Sequence, residues 1–392
     1  MSGGAANTAG TGGAATAGTG GSTSSAGTSA GGNGGATAGT GGTTSTAGST
    51  NAGGEGGTAP HIVEACPTGD NAPSNVGEWE EITPPEIDGV DLPGGAIVVN
   101  PKDTRIVYAG SANHKGLYKS TDCGASFTHI NTGENGAHID SGCIWDMVIN
   151  PVDPDILYVI EGYGDGGLWK TTNGGVDWVN TTPGDSEVGQ TATYNFTSIV
   201  GMDVTNPDHL VLTFHSGCGG DYSPNCEAET TDGGETWRLF KSTVGGEGVG
   251  VIVLADQTWV AANQQTTDGG ANWHSITGSA THWQAYQSPS SGAFYIGTMN
   301  GILKSTNGTD WAIMPEFTQP VQGITGDGTN IYAGQQWGTS QFQIPEDDPA
   351  SFVTLPTTDG DSDGPYFMSY DPDHHILYAS EFQSGHWRML TE

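Results

Sequence analysis

The feature that most constrains the fold of this 392-residue chain is a short string that recurs five times. The string begins with Ser or Thr, continues through Asp or Asn and Gly, and ends on Trp or Phe. The copies are residues 120–127, 171–178, 230–237, 266–273 and, one residue shorter, 305–311. Five copies in one chain indicate a repeat architecture in which each copy belongs to one structural unit.

The residue types of this string are those of a tight hairpin turn. Gly supplies the positive φ that such a turn needs. The Asp or Asn accepts hydrogen bonds from the backbone of its own turn, and the Ser or Thr can donate to that carboxylate. The closing aromatic side chain leaves the turn to fill the core. We therefore interpret the five strings as structural rather than catalytic.

A second pattern precedes the string and completes a unit of four strands. Residues 98–108, 148–158 and 370–378 each read as strand, polar turn, strand. A Gly-rich loop follows, then a Gly-Leu-aromatic-Lys strand at 116–119 and 167–170, then the hairpin string. Four short antiparallel strands that repeat every 35–55 residues or so predict a propeller blade.

Counting first strands predicts an all-β, seven-bladed β-propeller with four-stranded antiparallel blades. The expected starts lie near residues 96, 144, 199, 249, 283, 320 and 366, and eight blades is the alternative. The last blade ends after its third strand, and residues 77–82, with Trp79, read as the missing outer strand. Pairing the two chain ends in one blade removes exposed sheet edges and closes the ring.

The hairpin strings resemble the Asp box, or bacterial neuraminidase repeat, and residues 77–392 resemble Asp-box propellers. That group includes sialidases, xyloglucan hydrolases, sortilin-type receptors and photosystem assembly factors. The resemblance implies the fold and leaves the function open. A sialidase would place three arginines around the ligand carboxylate, whereas Arg105, Arg238 and Arg388 are expected on a turn, an outer strand and a third strand. Xyloglucan hydrolases hold their catalytic acids between two propellers, and this chain has one.

Residues 1–58 contain only Gly, Ala, Thr, Ser and Asn, apart from Met1 and Glu55. A segment without aromatic or branched aliphatic side chains buries too little apolar surface to offset its chain entropy, so it is expected to be disordered. It reads as a flexible tether to a cell surface or as a plain spacer. The predicted organisation is a tail at 1–58, a connector at 59–76 and the propeller at 77–392.

The charge and the cysteine content of the chain indicate which partners it can bind and in which cellular compartment it is expected. The chain carries 44 Asp and Glu against 9 Lys and Arg, a formal net charge of −35. Nucleic-acid binding is excluded because it needs a basic face, and no apolar run is long enough to cross a bilayer. Cys218 and Cys226 are expected to form a local disulfide, and Cys66 and Cys123 form a weaker candidate pair. These features predict an extracellular or surface-tethered monomer.

Comparing the blades with one another shows where the repeat has been altered. The position three residues after the Tyr of the second strand is small or neutral in three blades, at Ser111, Thr298 and Gln335. It is acidic at Glu161 and Glu381, in the blades that flank the first. Two carboxyl groups at one cleft are what glycoside hydrolysis requires. The alternative is a pair of solvated acids.

The face opposite the hairpin strings is expected to carry further site residues. His138 and Asp140 are candidates to assist catalysis, with Asp165 beside them, and a His–Tyr pair with Lys115 would suit a polysaccharide lyase instead. Flat aromatic rings stack on sugars, and amides or imidazoles bind hydroxyl groups. The candidate substrate-binding residues are His114, Tyr163, Tyr194, His215, His282, Trp283, Gln335, Trp337 and Phe382, joined by Trp145, Tyr222, Asn263, Gln264 and Gln336.

One stretch has the spacing of a calcium loop. Asp359, Asp361 and Asp363 alternate along the chain and Gly364 follows, so that three carboxylates could converge on one ion. The position at which an EF-hand needs Glu is Tyr370. A plain acidic turn is the alternative, and no cofactor is expected to be required.

Two functions remain after these exclusions. The first is a secreted enzyme on a neutral or weakly charged polysaccharide, with Glu161 and Glu381 as acid and as nucleophile or base. The second is a non-catalytic module that binds a glycan or a protein through the same face. A separation of about 5–10 Å between the two carboxyl groups fits hydrolysis, and a much larger one fits the binding module.

Overall fold

The computed structural model describes residues 61–392 apart from 185, 196, 244–248, 277–280, 337 and 359–363. For residues 70, 193–195 and 281–283 it describes the backbone alone. The predicted tail at 1–58 lies outside the described residues, as does the start of the predicted connector.

Seven four-stranded antiparallel sheets form the blades of a propeller, as the repeats predict. Blades 1 to 3 consist of β2 (Ile97–Val99), β3 (Val107–Gly110), β4 (Leu117–Ser120) and β5 (Thr128–His129); β6 (Cys143–Ile149), β7 (Leu157–Gly162), β8 (Leu168–Thr171) and β9 (Val179–Asn180); and β10 (Thr197–Met202), β11 (Leu210–Phe214), β12 (Asn225–Thr230) and β13 (Arg238–Ser242). Blades 4 and 5 consist of β14 (Val251–Ala255), β15 (Thr258–Ala261), β16 (Gln264–Thr266) and β17 (His274–Ser275); and β18 (Thr281–Gln287), β19 (Phe294–Thr298), β20 (Gly301–Ser305) and β21 (Ala312–Ile313). Blades 6 and 7 consist of β22 (Val321–Gly326), β23 (Asn330–Gln335), β24 (Gln341–Pro345) and β25 (Val353–Leu355); and β26 (Phe367–Asp371), β27 (Ile376–Glu381), β28 (Gly385–Leu390) and β1 (Trp79–Glu81).

The two ends of the propeller close in blade 7, which confirms the predicted role of the strand near residue 79. β1 pairs antiparallel with β28, with Trp79 opposite Met389 and Glu80 opposite Arg388. The Arg388 side chain is 1% exposed. Its Nε and Nη2 donate to the two Glu80 carboxylate oxygens at 2.8 and 3.0 Å, and its Nη1 donates to the Cys123 carbonyl at 2.6 Å. A bidentate, largely buried ion pair therefore fixes the closing strand.

The five repeated strings form the turns between third and fourth strands, on what we call the hairpin face. In blade 3, the Thr230 hydroxyl donates to Asp232 at 2.7 Å and the Thr236 hydroxyl donates to the same carboxylate at 2.6 Å. The Tyr158 hydroxyl and Lys170 Nζ of blade 2 both donate to the Gly233 carbonyl, at 3.1 and 3.0 Å. The hairpin of one blade is thus joined to its neighbour, which supports a structural role for these strings.

Two short helices interrupt the strand repeat. They are α1 (Gly136–Ile139) between blades 1 and 2 and α2 (Glu187–Asn195) between blades 2 and 3. Val188 and Ala192 of α2 are buried in the apolar cluster of blades 2 and 3. The blade pattern did not predict these helices because they lie in connections that differ from blade to blade. Three short 3-10 helices cover Gly69–Asn71, Gly220–Tyr222 and Pro349–Ser351.

Both predicted disulfides are present. Cys66 is bonded to Cys123 and Cys218 to Cys226, while Cys143 is a buried free thiol. The first disulfide attaches the segment before the propeller to the hairpin of blade 1. In the part of the chain that the structure describes, no helix has the length and apolar character to cross a membrane.

Candidate functional site

The face opposite the hairpins, which we call the loop face, collects the ends of the second strands and the starts of the first strands. Glu161 and Glu381 lie at the ends of β7 and β27, in the two blades that flank blade 1. Both side chains are enclosed, since Glu161 is 0% exposed and Glu381 is 3% exposed. Each carboxylate therefore faces protein rather than an open cleft.

Glu161 is enclosed by the glycine-rich loop that follows it. Its Oε2 accepts a hydrogen bond from the Gly166 backbone N–H. Gly142 and Gly164 pack so closely that a Cβ on either would overlap Oε1. Among the described residues, Oε1 has no hydrogen-bond partner. Burial, reinforced by the negative charge of Asp165, raises the pKa of Glu161 to about 7.

The same loop is attached to α1 through a second contact. His138 pairs with Asp165, whose carboxylate also accepts from the Ser141 hydroxyl at 3.4 Å. The His138 ring stacks on Trp169, with centroids 5.1 Å apart and planes 17° apart. The His138–Asp165 pair lies near the surface and fixes the loop to α1. Tyr163 lies in the same loop.

Glu381 is held by hydroxyl groups. The Thr358 hydroxyl donates to its Oε1 at 2.6 Å, and the Ser384 hydroxyl donates to its Oε2. Thr358 comes from the connection between blades 6 and 7, and nothing in the strand repeat predicts that contact.

A continuous line of rings crosses the loop face from blade 7 to blade 3, and we call it the aromatic row: Tyr366, Phe382, Trp145, Tyr163 and His215. Successive ring centroids are 4.2, 5.2, 5.7 and 6.1 Å apart. Tyr163 is the most exposed ring, at 55%. Its φ of 59° is in the left-handed region, so the loop presents this ring at a backbone conformation that few side chains adopt.

Blade 1, between the blades that carry Phe382 and Trp145, packs glycines closely against blade 2. A Cβ on Gly110 would lie 2.5 Å from the Ile144 side chain, and a Cβ on Gly95 would lie 2.7 Å from the Ile144 carbonyl. Phe382 of blade 7 and Trp145 of blade 2 meet edge to face, with ring planes at 88°.

Other predicted site residues have separate roles or lie outside the description. Asp140 accepts from Asn131 at 2.6 Å and is hydrogen-bonded to His129 at 2.8 Å, so it holds the connection of blade 1. His114 is hydrogen-bonded to the Ser141 carbonyl. Gln335 is the half-buried last residue of β23. Seven further candidates are outside the described residues, either by side chain (Tyr194, His282, Trp283) or entirely (Trp337, Asp359, Asp361, Asp363).

Possible metal ligands cluster on the other face. Among the residues that the structure describes, the group whose donor atoms come close together is Cys66, Cys123, Asp371 and His374. The two cysteines are joined as a disulfide, and His374 is hydrogen-bonded to Asp371 at 2.7 Å and to the Glu64 carbonyl at 2.7 Å. This cluster anchors the connector and belongs to no site on the loop face.

Sequence reasoning missed Tyr366 and Trp169, which stack on the predicted residues Phe382 and His138. Tyr366 directly precedes β26, and the starts of first strands share the loop face with the ends of second strands. The position of Tyr366 on the loop face could therefore have been predicted from the sequence. The stacking of Trp169 on His138 was not, because it depends on where α1 lies.

Comparisons with known proteins support the architecture. No protein-family model and no curated sequence matches the chain. Among solved structures, YCF48 bound to D1 peptide is similar with a TM-score of 0.54 and 13% identity, over 83% of this chain and 99% of that one. YCF48 from Cyanidioschyzon merolae has a TM-score of 0.54 and 12% identity, over 79% and 98%. The extracellular domain of a one-component system from B. thetaiotaomicron has a TM-score of 0.54 and 14% identity, over 80% of this chain and 40% of that one. At such identities the likeness shows the propeller fold alone.

Proposed function

We propose that this protein is a non-catalytic binding module that holds a polysaccharide or surface glycan on the aromatic row. The observation that carries the proposal is the row itself: five rings in mutual contact, from three blades, with Tyr163 more than half exposed. Flat rings with polar edges suit sugar rings, which have apolar faces and hydroxyl rims. The short contacts between rings make the surface rigid before ligand arrives, which limits the entropy lost on binding.

The burial of the two acids supports binding rather than hydrolysis. A proton donor or nucleophile must approach within hydrogen-bond reach of the glycosidic bond. Glu161 and Glu381 are enclosed by their own loops and are hydrogen-bonded to Gly166, Thr358 and Ser384. Reaching a sugar would require both loops to open.

The charge of the chain supports a neutral or positively charged glycan. At a net charge of −35, a polyuronate or sulfated chain is repelled. The two disulfides favour an oxidising, extracellular compartment, where such glycans are found.

The proposal is tested with the full-length protein on a panel of soluble neutral polysaccharides, by affinity electrophoresis followed by calorimetry. The decisive variant is Tyr163→Asn, because Asn tolerates the left-handed backbone while removing the ring. We expect at least a tenfold loss of affinity, or about 1.4 kcal/mol. The control is Val353→Ala, which trims another exposed side chain, 52% accessible, on outer strand β25. Retention of full affinity by Tyr163→Asn, or no binding to any glycan, would overturn the proposal.

A second candidate, a glycoside hydrolase, is favoured by one observation. A carboxyl group whose pKa is near 7 is protonated in the range where a general acid must donate. Release of reducing sugar from the same panel, abolished in Glu161→Gln, would establish hydrolysis in place of simple binding.

A further inference from the structure

A groove of about 540 Å³ lies on the flank of blade 3, between α2 and the loop closed by the Cys218–Cys226 disulfide. Both walls are departures from the blade repeat: α2 is inserted before blade 3, and the disulfide loop replaces the short turn between second and third strands. In repeat proteins such insertions gather on the binding side of the fold.

The walls of the groove are held in place without a ligand. Val188 and Ala192 anchor α2 in the apolar core. The facing loop is closed by its disulfide and by a hydrogen bond from the Cys218 N–H to the Pro224 carbonyl at 2.8 Å. Such a largely preformed cleft with a few converging polar groups is typical of a small-molecule site.

The lining combines an apolar floor with oxygen-rich groups. Glu187, Gln190 and Thr191 lie three and four residues apart on α2, so they share one face of the helix. Leu239 and the Tyr222 ring provide apolar surface, and the Glu187 carboxylate raises the pKa of the Tyr222 hydroxyl. A carboxylate, an amide and two hydroxyl groups around an apolar floor fit one sugar residue.

The charge of the lining selects among sugars. Glu187 is the charged side chain among the described lining residues, and Asp221 directly precedes lining residue Tyr222 in the chain. No basic side chain is present among those described lining residues to offset them. An ammonium group gains from such a site, while a carboxylate or sulfate is repelled.

The groove is close along the chain to the last ring of the aromatic row. His215, the last ring of the row, precedes lining residue Gly217 by two positions. We propose that this groove is a subsite for an amine-bearing sugar, such as glucosamine, within the glycan that lies on the aromatic row. The inference rests on the proposed function and adds the chemical class of the glycan.

The test compares three β-linked hexamers that differ at carbon 2 of each ring: glucosamine, N-acetylglucosamine and glucose. Calorimetry with the full chain at about pH 6 keeps much of the amine protonated. We expect the glucosamine hexamer to bind at least tenfold more tightly than the glucose hexamer, with a preference that falls as salt is added. Glu187→Gln should abolish the preference by lowering the affinity for the glucosamine hexamer to that for the glucose hexamer.

The control is Glu316→Gln, which removes an exposed carboxylate between blades 5 and 6 and should keep the preference. Equal binding of the three hexamers, or a preference that survives Glu187→Gln, overturns the subsite. Failure of the row is distinguishable: a glucosamine preference that depends on Glu187, together with an unchanged affinity for every hexamer in Tyr163→Asn, keeps the groove and refutes the row. Absence of binding by every hexamer refutes the groove, and the row is refuted as well when the polysaccharide panel also shows no binding.

Discussion

The enclosed carboxyl group of Glu161 should lower the stability of the protein as pH rises, and Glu161→Gln should remove that contribution while those of the buried Asp146 and Glu227 carboxyl groups, whose pKa values are also raised, remain. The carboxyl stays protonated in the folded protein up to its pKa of about 7, whereas in the unfolded chain it ionises above its ordinary value of 4.5. The folded state therefore binds more protons between these values. The resulting contribution is fully present below about pH 4.5 and is lost as pH rises through 7.

The magnitude follows from the difference of about 2.5 between the two pKa values. At about 1.4 kcal/mol for each tenfold change in acidity, complete ionisation lowers the free energy of unfolding by about 3 kcal/mol. Between pH 5 and 8 the loss is about 2.5 kcal/mol, because part of it has already occurred at pH 5. Gln is neutral throughout and its amide oxygen can still accept from the Gly166 N–H.

The assay is urea unfolding followed by tryptophan fluorescence at about pH 5, 6, 7 and 8. The stability of Glu161→Gln relative to the native chain should rise by about 2.5 kcal/mol across that series. Glu316→Gln, at an exposed position, should differ from the native chain by no more than about 0.5 kcal/mol at each pH. A Glu161→Gln difference that is the same at pH 5 and 8 would refute the argument that this carboxyl is neutral when folded.

Three further predictions concern the scaffold. Cys66→Ser should cost about 2–4 kcal/mol by opening the link to Cys123, seen as a lower melting temperature that reducing agent reproduces in the native chain. Asp146→Ala should cost about 2–5 kcal/mol in urea unfolding, because the Met147 and Val200 N–H groups each lose a buried acceptor at 2.9 Å, whereas Asn at this position should restore most of the loss. Trp178→Ala should cost about 3–5 kcal/mol by calorimetry, since this hairpin side chain is 1% exposed, while glycan affinity of the folded protein stays unchanged.

The parts of the fold that repeat were predictable, and the parts that depart from the repeat were not. The Tyr of the second strand and the hairpin string recur with fixed spacing, so blade number and closure through Trp79 follow from periodicity, and the Cys218–Cys226 disulfide follows from the short loop between its cysteines. Helix α2 occurs once, in a connection that no other blade constrains, and the groove beside it could not be predicted.

The candidate site shows the same division. Counting positions from the second-strand Tyr placed Glu161 and Glu381 at equivalent ends of their blades. Their burial depends on Gly142 and Thr358, which come from other connections, and on Gly164 of the loop that follows Glu161. Spacing along a strand fixes which end of the blade a residue occupies, but only the packing of neighbouring loops decides whether solvent reaches it.

The connector determines how the protein can be presented in an assay. The Ile62 N–H donates to the Lys102 carbonyl, Glu64 pairs with Arg105, and Cys66 is bonded to Cys123, all on the hairpin face. A protein immobilised on a sensor chip or bead through a residue before 61 is therefore attached at its hairpin face, opposite the face that carries Tyr163. In that orientation the aromatic row is accessible to ligand in solution. Random coupling through lysines gives mixed orientations, and the measured binding capacity is then too low.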